Sequence, residues 1–418
     1  MNSPRFFSSL SVLGGVALIA MACGPGGGGG GTKGEIVLAS DLPTSGAEAS
    51  DGIPSQQGAK FAVDYYLQHH GDNLKNFKLT FRAFDDAVNG VHDPQKGAQN
   101  VQQMIADSKI LGMVGPFNSN VARAEIPITN QANFVMISPA NTNECLTQTF
   151  DYCNPKPAAL RPTGKNNYFR VAAADTFQGP AMADFAIDTL KVTKFAIWSD
   201  NETFGKGVAD NFGKEVVKKN AQIVLRQDFD WKTTNDFKPF LTQAKAKGAQ
   251  AIYAGATSPT KGCIPRAQMA GIFDAFYLGP DGISDTQCIK DAGTMANDKM
   301  YSTVAAADAT QNPDAKTIVD AYKKAFPKKD DVGAYTFPTY DTMAILIDAV
   351  GRAIDANGGN LPSRKQVTDA VATTKAFKAT TGTYTFDQNG DPTTPTMAFF
   401  QLKGGDWTFV KQFAVGGS

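Results

Sequence analysis

Ile110-Leu111-Gly112-Met113-Val114 followed by Gly115-Pro116-Phe117-Asn118-Ser119 reads as a short apolar strand, a turn and the opening of a helix. The same unit recurs on both sides of it. From Glu35 onward short apolar runs alternate with amphipathic segments, the pattern of a parallel sheet covered by helices on both faces. Strands are predicted from Ile36 to Ala39, Lys78 to Phe84, Ile110 to Val114 and Phe134 to Ile137. Helices are predicted from Pro54 to Gln68, from Pro94 to Ala106 and after Ser119. After an irregular segment with three prolines, from Asn141 to Asn167, the alternation restarts. Strands at Tyr168 to Val171, Phe195 to Trp198, Gln222 to Gln227, Ala251 to Tyr253 and Phe276 to Leu278 are separated by helical patterns. One of those has Phe204, Val208, Phe212 and Val216 at four-residue spacing. The fold class is therefore α/β, two doubly wound, Rossmann-like lobes.

No long linker separates them. Pro313 to Phe326 and Tyr340 to Ile354 are amphipathic helices, the second with Met343, Ile347, Val350 and Ile354 on one face. Thr383 to Phe386 and Thr396 to Leu402 read as strands around the turn Asp387-Gln388-Asn389-Gly390-Asp391. Late helices followed by late strands suggest a return to the first lobe and then to the second. The expected bounds are 35–174 with 306–380 for the first lobe and 175–305 with 381–418 for the second. Multiple crossings make a hinge, and a hinge between two such lobes makes a cleft.

Ahead of the lobes, the apolar run from Leu10 to Met21 follows Arg5 and is too short for the roughly 20 residues of a membrane-spanning helix. It reads as an export signal over residues 1–22. Ala20-Met21-Ala22-Cys23 resembles the lipobox of bacterial lipoproteins, which implies acylation of Cys23 and attachment to a membrane by lipid alone. Residues 23–34, with six consecutive glycines, read as a tether. With Cys23 lipidated, Cys145, Cys153, Cys263 and Cys288 remain. Three connectivities are open, and we favour Cys145 with Cys153 and Cys263 with Cys288, each bracketing a loop-rich region. The absence of CxxC, and the distance of His69, His70 and His92 from the cysteines, argue against zinc. Forty basic and forty acidic residues, with no basic block, argue against a nucleic-acid partner.

Nearly the whole span from Glu35 to Trp407 resembles the type I solute-binding proteins of the branched-chain amino acid class, the capture subunits of ABC importers. The resemblance is carried by Pro43-Thr44-Ser45-Gly46, Gly58-Ala59, Asp85-Asp86 with Asp93-Pro94, Gly115-Pro116-Phe117-Asn118-Ser119 and Ile137-Ser138-Pro139-Ala140. Phe204-Gly205-Lys206-Gly207, Gly279-Pro280-Asp281-Gly282 and Thr339-Tyr340-Asp341 continue it. It implies a clamshell that closes on a small solute without catalysis or cofactor, as a monomer outside the cytoplasm, and delivers it to a membrane permease. It also implies that Ser119, Ala140 and Thr142, beside Asn118, hold a ligand carboxylate. Asp281, beside Gly282, would take the ammonium, and Phe204 would close over the ligand. From residue types alone, Ser119 is equally a helix cap, Asp281 a turn residue and Phe204 the first core residue of its helix.

Two positions depart from the family pattern. Asp51 and Thr257 fall where the family has aromatic walls, and a charge beside a buried aliphatic ligand is costly unless paired. This argues against leucine, isoleucine and valine and for a more polar amino acid or an amide-type solute, with Tyr335 as a replacement aromatic face. The segment from Asn141 to Asn167 starts at the pocket edge and is placed to cap it. No G-x-S-x-G, Walker lysine or dinucleotide fingerprint supports an exported enzyme. A sensor that presents its ligand to a signalling receptor has the same sequence features as a transport subunit.

Overall fold

Apolar side chains point alternately to both faces of the first sheet. Ile36, Leu38, Leu111, Val135, Ile137 and Phe169 join one core, whereas Val37, Ala39, Ile110, Met113, Met136 and Tyr168 join the other. Because successive strand residues alternate faces, strands that are apolar in both registers need helices on both sides. The computed structural model, which describes residues 32–416, supplies them. The expected signal peptide, Cys23 and the tether through Gly31 lie outside the described residues.

Five parallel strands form the first sheet in the order Lys78–Phe84, Glu35–Asp41, Ile110–Val114, Val135–Ser138, Tyr168–Arg170. Helices Ala49–His70, Thr336–Ala356 and Arg364–Ala372 cover one face, and Pro94–Ala106 and Ser119–Gln131 the other. Ala49–His70 and Thr336–Ala356 approach closely because Gly58 has no side chain: a Cβ there would lie 2.2 Å from the Thr336 carbonyl oxygen. The second sheet repeats the order with Gln222–Asp228, Lys194–Ser199, Ala251–Gly255, Phe276–Gly279 and Met300–Val304. An antiparallel pair, Thr396–Lys403 and Asp406–Ala414, extends it. In each sheet the winding reverses beside the first strand, which opens a crevice at the carboxyl ends of the strands.

The chain passes between lobes three times: after Val171, between Ala305 and Ala309, and between Phe386 and Met397, each of these residues packing in the core of its own lobe. The Ala173 N–H donates to the Ala305 carbonyl at 2.9 Å, joining the first two passages. Two sequence expectations are corrected here. Tyr384 and Phe386 belong to the first-lobe core, so that lobe runs past residue 380. Thr383–Tyr384 pairs with Phe377–Lys378, and Thr396–Lys403 with Met300–Val304, so the two strands read as flanking one turn serve different lobes. Asp406–Ala414 was not foreseen as a strand; it lies at the sheet edge with no fully buried residue, although Trp407, Phe409, Val410 and Phe413 gave an apolar signal.

Arg170, at the end of the last first-lobe strand, is fully buried and joins these parts. Its Nε donates to Asp391 Oδ1 at 2.7 Å, and its remaining nitrogens donate to the carbonyls of Asn141 and Asn143 and to Thr147 Oγ1. Asp391 also accepts from Thr147 and Gln148. Burial favours the neutral Asp391 carboxyl, but Arg170 more than offsets this and holds it below the usual carboxylate range. The disulfides Cys145–Cys153 and Cys263–Cys288 both form, with Cα–Cα distances of 5.4 and 5.2 Å.

Removing one partner of a buried pair leaves an uncompensated charge, so Asp391→Ala should cost about 3–5 kcal/mol in denaturant unfolding. A loss under about 1 kcal/mol would show that the hydrogen bonds to Arg170 suffice without the carboxylate. Chain-entropy arithmetic gives about 2.5 kcal/mol for the shorter disulfide loop and about 3.5 kcal/mol for the longer. The Cys263→Ser/Cys288→Ser variant should therefore melt below Cys145→Ser/Cys153→Ser in thermal scans; the reverse order would overturn the loop-length argument.

Candidate functional site: the interlobe cleft

The crevices of the two sheets face each other. On the first-lobe side, helix Ser119–Gln131 opens with Asn118 as its N-cap in extended conformation, yet neither Asn118 nor Ser119 caps through its side chain. Asn118 Nδ2 instead donates to Glu48 Oε1 at 2.9 Å, and the Ser119 hydroxyl accepts from the Asn143 N–H at 3.3 Å. Ser138 orders the neighbouring turn: its hydroxyl donates to the Pro116 carbonyl and accepts from the N–H groups of Ala140 and Asn141. Thr142 is 1% exposed, and its hydroxyl has no hydrogen-bond partner.

On the second-lobe side, Asp281 follows strand Phe276–Gly279 and is buried. Its N–H donates to Gln178 Oε1, the Tyr335 hydroxyl donates to its Oδ2, and its Oδ1 has no partner. Phe204, Thr257 and Gly282 meet there, since a Cβ on Gly282 would lie 2.9 Å from both the Phe204 ring and the Thr257 methyl. Phe204 sits in the first turn of helix Thr203–Lys218, which lies close against the end of strand Ala251–Gly255: a Cβ on Gly205 would meet the Gly255 carbonyl at 2.3 Å. Tyr335 is placed differently from the sequence expectation. Its ring stands edge-on to Phe117, with centroids 5.3 Å apart, and its hydroxyl positions Asp281.

The lobes are shut. Asn120 Nδ2 reaches Glu202 Oε2 at 3.1 Å, Asn143 Nδ2 reaches the Thr203 carbonyl at 3.2 Å, and Asn211 Nδ2 reaches Glu144 Oε1 at 2.9 Å. Glu144 and Asn143 belong to the segment from Asn141 to Asn167, which thus contacts the second lobe at the cleft edge. Tyr152 of that segment donates to Glu144 and lies under the Lys214 ammonium.

The enclosed surface is acidic. Burial pushes Asp281 up to about 7 against the hydrogen bond from Tyr335, and pushes Asp285 up to about 6. Burial, reinforced by Asp285 for Asp51 and by Glu144 for Asp175, holds both of those well above the ordinary carboxyl range. His92 pairs with Glu48 on this surface. Burial would lower its pKa, but Glu48, 3.0 Å from Nδ1, more than offsets this and keeps it above the usual imidazole value. A cation placed among such carboxyls favours their ionised form.

The structure brings Asn118, Ser119, Ala140 and Thr142 together on one wall and Phe204, Thr257, Asp281 and Gly282 on the other, with Tyr335 at the hinge. Asp51 lies beside Asp285 across the lobes. Sequence reasoning missed Glu48, His92, Glu144, Asp175 and Asp285. Asp285 was hidden because it does what a capping aspartate does, accepting the Cys288 N–H at 2.6 Å. Asp175 opens a helix, where an acid is unremarked. Among the described residues, no group of three histidine, cysteine or acidic side chains is placed to hold a metal ion.

The comparisons agree with this architecture. Residues 35–406 match the family described as periplasmic binding protein. A Leu/Ile/Val-binding protein homolog of Brucella melitensis is 26% identical, aligned over 89% of this chain and 92% of its own length. The leucine-, isoleucine-, valine-, threonine- and alanine-binding protein of Pseudomonas aeruginosa is 25% identical over 85% of this chain and 87% of its own. Among solved structures, the leucine-binding protein LivK of Thermotoga maritima superposes with a TM-score of 0.76 at 23% identity, covering 90% of this chain and 98% of its own. A solute-binding protein of Rhodopseudomonas palustris in complex with p-hydroxybenzoic acid gives 0.72 at 17% identity, covering 91% and 97%. The fold is thus shared by receptors of unlike ligands, and the chain belongs to the periplasmic binding protein family.

Proposed function

We propose that the chain captures an amino acid or similar small zwitterionic solute by closure of the interlobe cleft and delivers it to the membrane permease of an ABC importer. In this reading it is exported, held at the membrane by lipid on Cys23, and acts as a monomeric receptor without catalysis. The observation that carries it is the set of buried, unpartnered polar atoms brought from both lobes into the shut cleft: Thr142 Oγ1, Asn118 Oδ1 and Asp281 Oδ1. Unpaired buried groups are costly, and a solute that bonds both walls removes that cost only when the lobes are closed. Binding then selects the closed state. Ser119, Ala140 and Thr142 would hold the carboxylate, Asp281 the ammonium, and Phe204 would cover the ligand. The amino-acid-binding relatives support this class of solute.

A thermal-denaturation panel of amino acids tests the reading. A ligand at 100 times its dissociation constant should add about 2.7 kcal/mol, and no response from protein freed of bound solute would overturn it. Thr142→Val removes only an unpartnered hydroxyl, so it should leave stability unchanged while weakening binding about tenfold by calorimetry; unchanged affinity removes Thr142 from the site. The raised pKa values of Asp281 and Asp285 also predict a pH effect. Groups raised on folding stabilise fully below their unfolded values near 4, and that contribution is lost as pH rises through about 6 to 7. Small-angle scattering of the empty protein should show a more compact particle at pH 5 than at pH 8, and equal dimensions would refute the assignment.

A further inference from the structure

Asp51 and Asp285 meet across the cleft. Asp51 stands in the first turn of helix Ala49–His70 of the first lobe, and Asp285 caps helix Thr286–Ala292 of the second. Both residues line one cavity, and each carboxyl acts on the ionisation of the other. Asp285 is 5% exposed; its Oδ1 accepts from Ser258 and from the Cys288 N–H, and its Oδ2, the oxygen left over, has no donor. No basic side chain is hydrogen-bonded or salt-bridged to either carboxyl among the described residues. Both carboxyls also line a cavity of about 400 Å³ at the junction of the lobes, together with Asp308, Asp330, Asp406 and Lys329. Lys329 is paired with Asp406, so the cavity keeps an excess of negative charge.

Capture of a zwitterion leaves this pair unexplained. One ammonium neutralises Asp281, and Glu48 already has His92. Two facing carboxylates from opposite lobes repel each other on closure, unless a proton or a cation stands between them. We infer that the solute carries a second cationic group, ammonium or guanidinium, clamped between Asp51 and Asp285, so that the ligand class is a diamino or guanidino carboxylic acid. The inference rests on the solute-capture reading and deepens it. Such a group would accept closure from both lobes at once, because each carboxylate contributes charge-assisted hydrogen bonds to it. The cavity beyond the pair gives a long side chain room, and its acidic wall attracts the same charge.

Lysine against norleucine, which keeps the carbon chain but lacks the terminal ammonium, is the discriminating pair. Ornithine, arginine, leucine and glutamine complete the panel for calorimetry on the purified protein. Lysine, ornithine or arginine should bind at least tenfold tighter than norleucine. Asp51→Asn should weaken the best basic ligand at least tenfold, while norleucine binds as well as before or better. Asp285→Asn keeps a capping side chain and should act in the same direction, which guards against a folding defect in either variant alone. Neutral amino acids binding as tightly as basic ones, or Asp51→Asn leaving the preference intact, would overturn the clamp and leave the capture reading standing. Silence from every member of the panel would instead overturn the capture reading, and the clamp with it.

Discussion

The buried pair of Arg170 and Asp391 is the interaction on which the arrangement of the cleft depends. Arg170 ends the last strand of the first sheet, and Asp391 lies on the third passage between lobes. The remaining guanidinium donors hold the carbonyls of Asn141 and Asn143, on either side of Thr142, and the hydroxyl of Thr147 beyond the first cysteine of the irregular segment. One planar cation therefore fixes the sheet, a hinge strand, the wall that carries Thr142 and the base of the capping segment. A charge in a fully buried position is tolerable only when it is paired and well hydrogen-bonded, and four of the five N–H donors of Arg170 are engaged here.

The second constraint is electrostatic. In the shut cleft Asp175, Asp281 and Asp285 are out of water and Asp51 is half-buried, with few cations beside them. Desolvation opposes their ionisation, so an empty shut cleft keeps protons that an open one releases. A receptor built in this way closes at low cost only around a partner that supplies positive charge. Hinge motion, proton uptake and ligand choice are then three aspects of one balance between burial and pairing. Tyr335 adjusts it by donating to Asp281 from the hinge itself.

Much of this is legible in the sequence. The alternation of apolar runs and amphipathic segments fixed two doubly wound lobes, since strands apolar on both faces admit few other packings. The strand ends marked the cleft, and Ser119, Thr142, Phe204 and Asp281 all stand at it. Local rules served less well where they had two readings. The strands on either side of the turn at Asp387–Asp391 were both placed in the second lobe by the expected bounds, but they have partners in different sheets. Asp285 went unnoticed in the sequence: it caps a helix and also lines the cavity with Asp51, and a cap and a cleft carboxylate have the same sequence signature.

The sequence by itself determined the periodicity of burial, and with it the element order, the two lobes and the segments that line their facing edges. Those follow from interactions between near neighbours. Only the tertiary structure decided which acids face which, because Asp51 and Asp285, or Arg170 and Asp391, are separated by more than two hundred residues. Their juxtaposition depends on the closure of two independent sheets around a shared hinge, and no local spacing encodes it.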